Sequence, residues 1–425
     1  MIRSLISLLL AGSALVASAA DRPNIVMIIS DDQAWTDYSF MGHKQIATPN
    51  IDRLAKESLT FTRGYVPSSL CCPSLASIVT GLYPHQHKIT SNDPPIPAGM
   101  KPRQFQQSDA FKQGRDKMIQ FVESVPTLPR LLMQNGYNTL QTGKWWLGDF
   151  KHGGFTHGMT KGGRHGDQGL DIGRKTMQPI YDFIAESRKA EKPFFVWYAP
   201  MMPHDPHTPP AALFEKYSKL TDSPHIARYW AMCEWFDQTI GDLLKHLDEQ
   251  GLTQNTIVTY VSDNGWIQKP DAPRYAEKSK QSQYDGGLRS PIMVRWTGKL
   301  APKSSDTPVS SLDFFPTVLK LAGISAPATP GIDLTDETAV AARKVLFGEC
   351  FTHNFVNMDQ PASSLRWRWM LQGNMKAIVP GAAEKDASPE LYDVIADPTE
   401  EKNLASEKPN VVNSMTATLN AWWKP

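Results

Sequence analysis

Three short stretches lack the polar residue at every second position that a half-exposed strand would show: NIVMIIS (24–30), FFVWYAP (194–200) and TIVTYVS (256–262). Such runs read as strands buried on both faces, the condition of a parallel sheet covered by helices above and below. Helix-like stretches alternate with them. IDRLAKES follows a TPN turn, CPSLASIVTGLY begins with Pro-Ser as a helix N-terminus does, and VESVPTLPRLLMQNGY is stopped by Asn-Gly. HIARYWAMCEWFDQTIGDLLKHLDEQG is a long amphipathic stretch closed by Gly251. With NTLQTG as a further strand, the pattern predicts an α/β fold: a mixed, mostly parallel central sheet sandwiched by helices.

The pattern changes from about residue 332. RWRWMLQG, NMKAIV and ELYDVI read as antiparallel strands, and NVVNSMTATLNAWW as a final helix. The expected organisation is a leader over 1–20, an α/β domain over 21–331 and a small C-terminal antiparallel-sheet α+β subdomain over 332–425. The leader, MIRSLISLLLAGSALVASAA, has Arg3 as its one charge, an apolar run too short to span a bilayer, and small residues before Asp21. It predicts export, to the periplasm or beyond, with no membrane span. The 44 basic and 43 acidic side chains leave a formal charge of +1, which offers no field for nucleic acid or an anionic membrane.

Four cysteines in 425 residues are no disulfide framework, and the adjacent Cys71 and Cys72 cannot bridge without severe strain. The residues just past each strand are more telling, because open parallel sheets bind ligands beyond the carboxyl ends of their strands. Asp31 and Asp32 come after the first run, Asp263 and Asn264 after the third, His204 after the second, and Lys144 after NTLQTG. Three carboxylates and an amide at one sheet edge repel one another unless a cation joins them. Hard oxygen donors suit Ca²⁺, or Mg²⁺, rather than zinc. The stretch 151–175 is rich in Gly, His and charge without periodicity, and with 92–125 it is expected to shape a substrate pocket.

The ordered series RPNIVMIISDD, TPNIDRLA, CCPSLASIVTGLYPHQH, TGKWWLG, APMMPHDPHTPP, TIVTYVSDNG, KQSQYDGGLRSPIMV and ELYDVIADPTEEKNLA resembles the secreted, formylglycine-dependent sulfatases of the alkaline-phosphatase-like superfamily. The resemblance implies that Cys71 is oxidised to formylglycine by a formylglycine-generating or other sulfatase-maturing enzyme. It implies metal ligands at Asp31, Asp32, Asp263 and Asn264 together with residue 71, sulfate-gripping lysines at 144 and 280, and His204 near the leaving oxygen. The implied substrate is a sulfated carbohydrate or another sulfate ester.

The chain departs from that pattern twice. Leu75 stands where the family has an arginine, and Trp146 stands where it has a histidine. His157, Arg164, His165 and Arg174 of the irregular stretch are candidates to contact substrate or fill the gap. Three readings stay open: a working sulfatase; a metal-dependent phosphoester or phosphonoester hydrolase with unmodified Cys71; and a catalytically impaired glycan-binding protein, whose Trp145 and Trp146 would stack on sugar rings.

Overall fold

The computed structural model describes residues 22–425, so the expected leader lies outside the described residues. Nine strands form one sheet: β1 (Asn24–Ser30), β2 (Leu59–Tyr65), β3 (Asn138–Gly143), β4 (His157–Gly158), β5 (Phe194–Ala199), β6 (Thr256–Ser262), β7 (Arg289–Trp296), β8 (Lys303–Ser305) and β9 (Val309–Ser310). Their order is β4-β3-β5-β1-β6-β7-β2-β8, with β9 also on β2. The pairs from β4 to β6 are parallel, and β7 alone runs against its neighbours β6 and β2.

The uninterrupted runs divide as two buried faces require. Ile25, Met27 and Ile29 of β1 enter one core cluster with Trp197 of β5, the Cys71–Thr80 helix and the Phe314–Leu321 helix. Val26 and Ile28 enter the other, against the helices Gln178–Lys189 and Pro224–Glu249. The expected fold class is therefore the observed one: helices flank both faces of a mostly parallel sheet.

A second, antiparallel sheet comes next in the chain, ordered β10 (Val345–Phe351), β11 (Leu365–Gln372), β12 (Met375–Pro380) and β13 (Glu390–Asp393). The last helix, Pro409–Trp422, packs on it through Val412, Met415 and Leu419. Its other face is not separate from the main core, because Leu346, Cys350, Trp369 and Tyr392 belong to the same cluster as Ile25. Among the described residues, no helix is long and apolar enough to cross a membrane.

Candidate active site

The carboxyl ends of four adjacent strands deliver the site. Asp31 and Asp32 leave β1, Asp263 and Asn264 leave β6, Lys144 leaves β3, and His204 lies beyond β5. The crossing is close: Asp263 N donates to Ser30 O at 2.8 Å, Gln33 N to Asn264 O at 3.1 Å, and Lys144 N to Ala199 O at 2.6 Å. Gly143 makes the last approach possible. Its φ is +71°, and a Cβ there would stand 1.9 Å from Ala199 O. Asp32 is itself held at φ 64°, a left-handed conformation that non-glycine residues seldom adopt outside functional or strained sites.

Cys71 opens the Cys71–Thr80 helix, every residue of which is buried. The preceding turn is tied to the loop carrying Lys280, since Gln281 N donates to Ser69 O at 2.9 Å and Ser69 Oγ to Ser282 O at 2.5 Å. One donor atom each from Asp31, Asp32, Cys71 and His204 lies within 4.8 Å of the others. Lys144 Nζ donates to Asp31 Oδ1 at 2.7 Å, and Lys280 Nζ to Asp32 Oδ2 at 2.6 Å. His204 Nε2 is 3.3 Å from both Asp32 Oδ2 and Lys280 Nζ, while Nδ1 lies 2.6 Å from Asp205 O. All four cysteines are free thiols.

Burial dominates the electrostatics. It lifts Asp31 to about 7 against the pull of Lys144, and Asp263 to about 8 with Cys71 nearby. Asp32 is equally buried, but Lys280, His204 and Lys144 outweigh the desolvation and hold it below the ordinary carboxylate value. Burial also pushes the Cys72 thiol up to about 12.

Three buried oxygens in this cluster have no hydrogen-bond partner: Asp31 Oδ2, Asp263 Oδ2 and Asn264 Oδ1. Buried acceptors are otherwise paired almost without exception. Three orphaned oxygens on two neighbouring strand ends match the donor set of a hard divalent cation. The residues present therefore fit one.

The other sequence candidates separate. His157, on β4, pairs with Glu186 at 3.5 Å and Thr156 at 2.8 Å, not with the cluster. Arg174 spends its guanidinium on the backbone oxygens of Met201, His204 and Pro206, and so supports the loop that carries His204. Arg164 and His165 do reach the site. The His165 ring lies 6.1 Å from His204, and the Arg164 guanidinium covers Trp146 at 4.8 Å.

Sequence reasoning missed Asp93, whose carboxylate grips Arg164, and Arg115, buried at 5.8 Å from the Trp146 ring. Arg115 sits on the Asp109–Glu123 helix among other charged residues, where nothing in the sequence sets it apart. Gly114 beside it lets that helix close on Pro94. Both departures from the family pattern put buried side chains in place, since Leu75 and Trp146 are 4% and 2% exposed within the main core cluster.

The sulfatase family model matches residues 23–324, and the model of the N-sulphoglucosamine sulphohydrolase C-terminal region matches 277–423. Human arylsulfatase A is 26% identical, over 97% of this chain and 89% of its own length. N-acetylgalactosamine-6-sulfatase of Rattus norvegicus is 28% identical over 76% of this chain, which spans 66% of that relative. The crystal structure of Ps i-CgsB in complex with k-i-k-neocarrahexaose superposes with a TM-score of 0.76 at 21% identity, covering 95% of this chain and 93% of that one. The class these define is a sulfuric ester hydrolase with an alkaline-phosphatase-like fold. The chain belongs to the sulfatase family.

Proposed function

We propose that this chain is an exported sulfatase that hydrolyses sulfate monoesters of sulfated carbohydrate, with Cys71 converted to formylglycine and a divalent cation, Ca²⁺ or Mg²⁺, held by Asp31, Asp32, Asp263, Asn264 and residue 71. The observation that carries this reading is the convergence of three orphaned buried oxygens, two lysines and the head of a helix on one point. When present, the cation offsets charge on the sulfate oxygens and the hydrated aldehyde supplies an oxygen nucleophile.

The chain's own residues do the rest. Lys144 and Lys280, both buried and both held firmly as ammonium ions by Asp31 and Asp32, grip the sulfate where charge develops during transfer. His204 is oriented through Nδ1 by Asp205, which leaves Nε2 to hand a proton to the leaving sugar oxygen. The positive end of the Cys71–Thr80 helix dipole falls at residue 71 and favours an anion there. The likeness to glycan-acting relatives, among them an N-acetylgalactosamine-6-sulfatase, supports a sulfated carbohydrate as substrate.

Mass spectrometry of the tryptic peptide 64–88 from protein exported by its native host, paired with an assay of sulfate release from sulfated oligosaccharides, tests the proposal. Formylglycine at 71 with multiple-turnover release is the expected result. An unmodified thiol, with phosphate or phosphonate esters cleaved faster than matched sulfates, overturns it in favour of a phosphoester or phosphonoester hydrolase. Binding of the oligosaccharide with no turnover overturns it in favour of a glycan-binding protein.

A further inference from the structure

The irregular stretch that carries Arg164 and His165 is anchored from several sides. His165 has φ 68° and Asp167 φ 49°, with Gly166 between them at φ 121°. Non-glycine residues persist in such conformations only where their surroundings over-determine them. Here the Asp167 carboxylate accepts from Lys161 N, Gly163 N and Thr160 Oγ1. Gly166 lies so close to the end of β3 that a Cβ would stand 2.4 Å from Gly143 O. Trp145 N donates to His165 O at 3.1 Å. The strained turn is thereby bolted to the residues that flank Lys144.

The side chain it presents is equally constrained. The His165 ring stands edge-on to Trp146, with centroids 4.2 Å apart. Its Nε2 lies 2.8 Å from Arg164 Nη1. Arg164 is gripped by Asp93 through two further bonds, Nε to Oδ1 at 3.0 Å and Nη2 to Oδ2 at 2.8 Å. A guanidinium has donors and no acceptor, so Nε2 carries the lone pair and the neutral ring has its proton on Nδ1. Asp93 and Arg164 thus set the tautomer of His165.

The wall around it holds more donors than acceptors. Trp146 Nε1 and Arg115 Nη2 are both buried without a partner, on side chains more than nine-tenths buried. Lys144 Nζ lies 5.9 Å from the same Trp146 ring. Unpartnered buried donors gathered behind one side of the site raise the potential there in favour of an anion.

We propose that His165 is a substrate-contacting residue: locked by Asp93 and Arg164 as the Nδ1–H tautomer, it donates that hydrogen to a peripheral oxygen of the sulfate ester. The inference rests on the proposed sulfatase function and adds to it a neutral donor on the side where Trp146 stands. Arg164 and Asp93 are positioning residues in this arrangement.

Two substitutions separate contact from structure. Asn carries an amide N–H where Nδ1 lies and tolerates a left-handed backbone, whereas Gln places its amide near Nε2. His165→Asn should therefore keep kcat/KM for 4-methylumbelliferyl sulfate within about threefold of the wild-type holoenzyme, while His165→Gln loses about 10–100-fold, the range of a hydrogen bond to a charged group. Arg164→Met, which frees the tautomer, should lower kcat/KM in the same direction. Calorimetric binding of inorganic sulfate to the same holoproteins should show the same order. That arm reads the inference even if the wild type turns over no sulfate ester, an outcome that would count against the sulfatase reading alone. Equal behaviour of the Asn and Gln variants, whether both active or both impaired with a lowered unfolding midpoint, overturns the inference.

Discussion

Lys376 Nζ lies 2.8 Å from Asp285 Oδ1, with both side chains wholly buried between the two sheets. Lys376 is on β12, and Asp285 opens the short turn of helix that leads into β7. The same ammonium reaches Glu400 Oε1 at 2.9 Å, while Tyr65 donates to Asp285 Oδ2 at 2.9 Å and Asp285 N to Glu400 Oε2 at 2.5 Å. One cation thus joins the second sheet to the segment just past Lys280. The C-terminal residues thereby brace the chain entering the site as well as closing the core.

Lys376→Met tests that junction. The variant leaves two buried carboxylates facing each other, and breaking a buried pair in this way costs about 3–5 kcal/mol. Urea unfolding should show a clearly lower midpoint, with activity falling as the Lys280 segment loosens. A midpoint equal to that of the wild type would show that the junction does not hold the two sheets together.

Cation binding should depend on pH through Asp31 and Asp263. Their folded values of about 7 and about 8 lie above the ordinary 3.8, because burial outweighs the nearby lysines. Their retained protons stabilise the cation-free protein fully below the unfolded value, and that contribution is lost as pH rises through the folded values. A divalent cation takes the place of those protons, so binding releases them. Ca²⁺ affinity measured by calorimetry should rise steeply between about pH 6 and 8, with a heat that varies with the ionisation enthalpy of the buffer. An affinity flat across that window would contradict the ligand assignment.

Arg174→Ala should act on turnover without touching substrate. The guanidinium holds the backbone oxygens of Met201, His204 and Pro206, so its removal frees the loop that aims His204. A displacement of about 1 Å at a reacting group can cost about 10²-fold in rate. The loss should fall on kcat more than on KM, and it should shrink for an aryl sulfate whose leaving group needs no proton. An equal loss for aryl and alkyl sulfates would remove His204 as the proton donor.

How much of this was legible in the sequence depended on how local its cause was. NIVMIIS and TIVTYVS read as doubly buried strands because each residue, considered alone, had to be covered, and the carboxylates just past them fell at strand ends for the same reason. β7 was not legible: RSPIMVRW contains a proline and reverses direction because β6 and β2 accept it there, a fact of pairing rather than pattern. The stretch 122–137, read as one helix up to Asn-Gly, holds the end of one, Asp109–Glu123, and the whole of another, Leu128–Gln134, with a break at residues 124–127 ahead of Pro129. The residues 159–171 offered no period to read, since their shape is set by distant partners such as Gln141 Oε1, which accepts from Met159 N and Thr160 N. Asp93 and Arg115 stayed hidden because their importance comes wholly from what the fold places beside them.

Restoring the family residues should harm this protein rather than improve it. Leu75 is in a helix buried along its whole length, so Leu75→Arg puts a guanidinium into apolar packing, at a cost of several kcal/mol unless a carboxylate meets it. Trp146 carries the Arg164 guanidinium on its ring at 4.8 Å and His165 against its edge at 4.2 Å. Trp146→His removes that support and opens a cavity, with an expected loss of about 2–4 kcal/mol. The double variant should unfold at lower urea than either single one and show lower kcat/KM on the same ester. A gain in kcat/KM would mean that the arginine and histidine positions are merely vacant, and that Trp146, Arg164 and His165 have not taken over the space and the work of the missing pair.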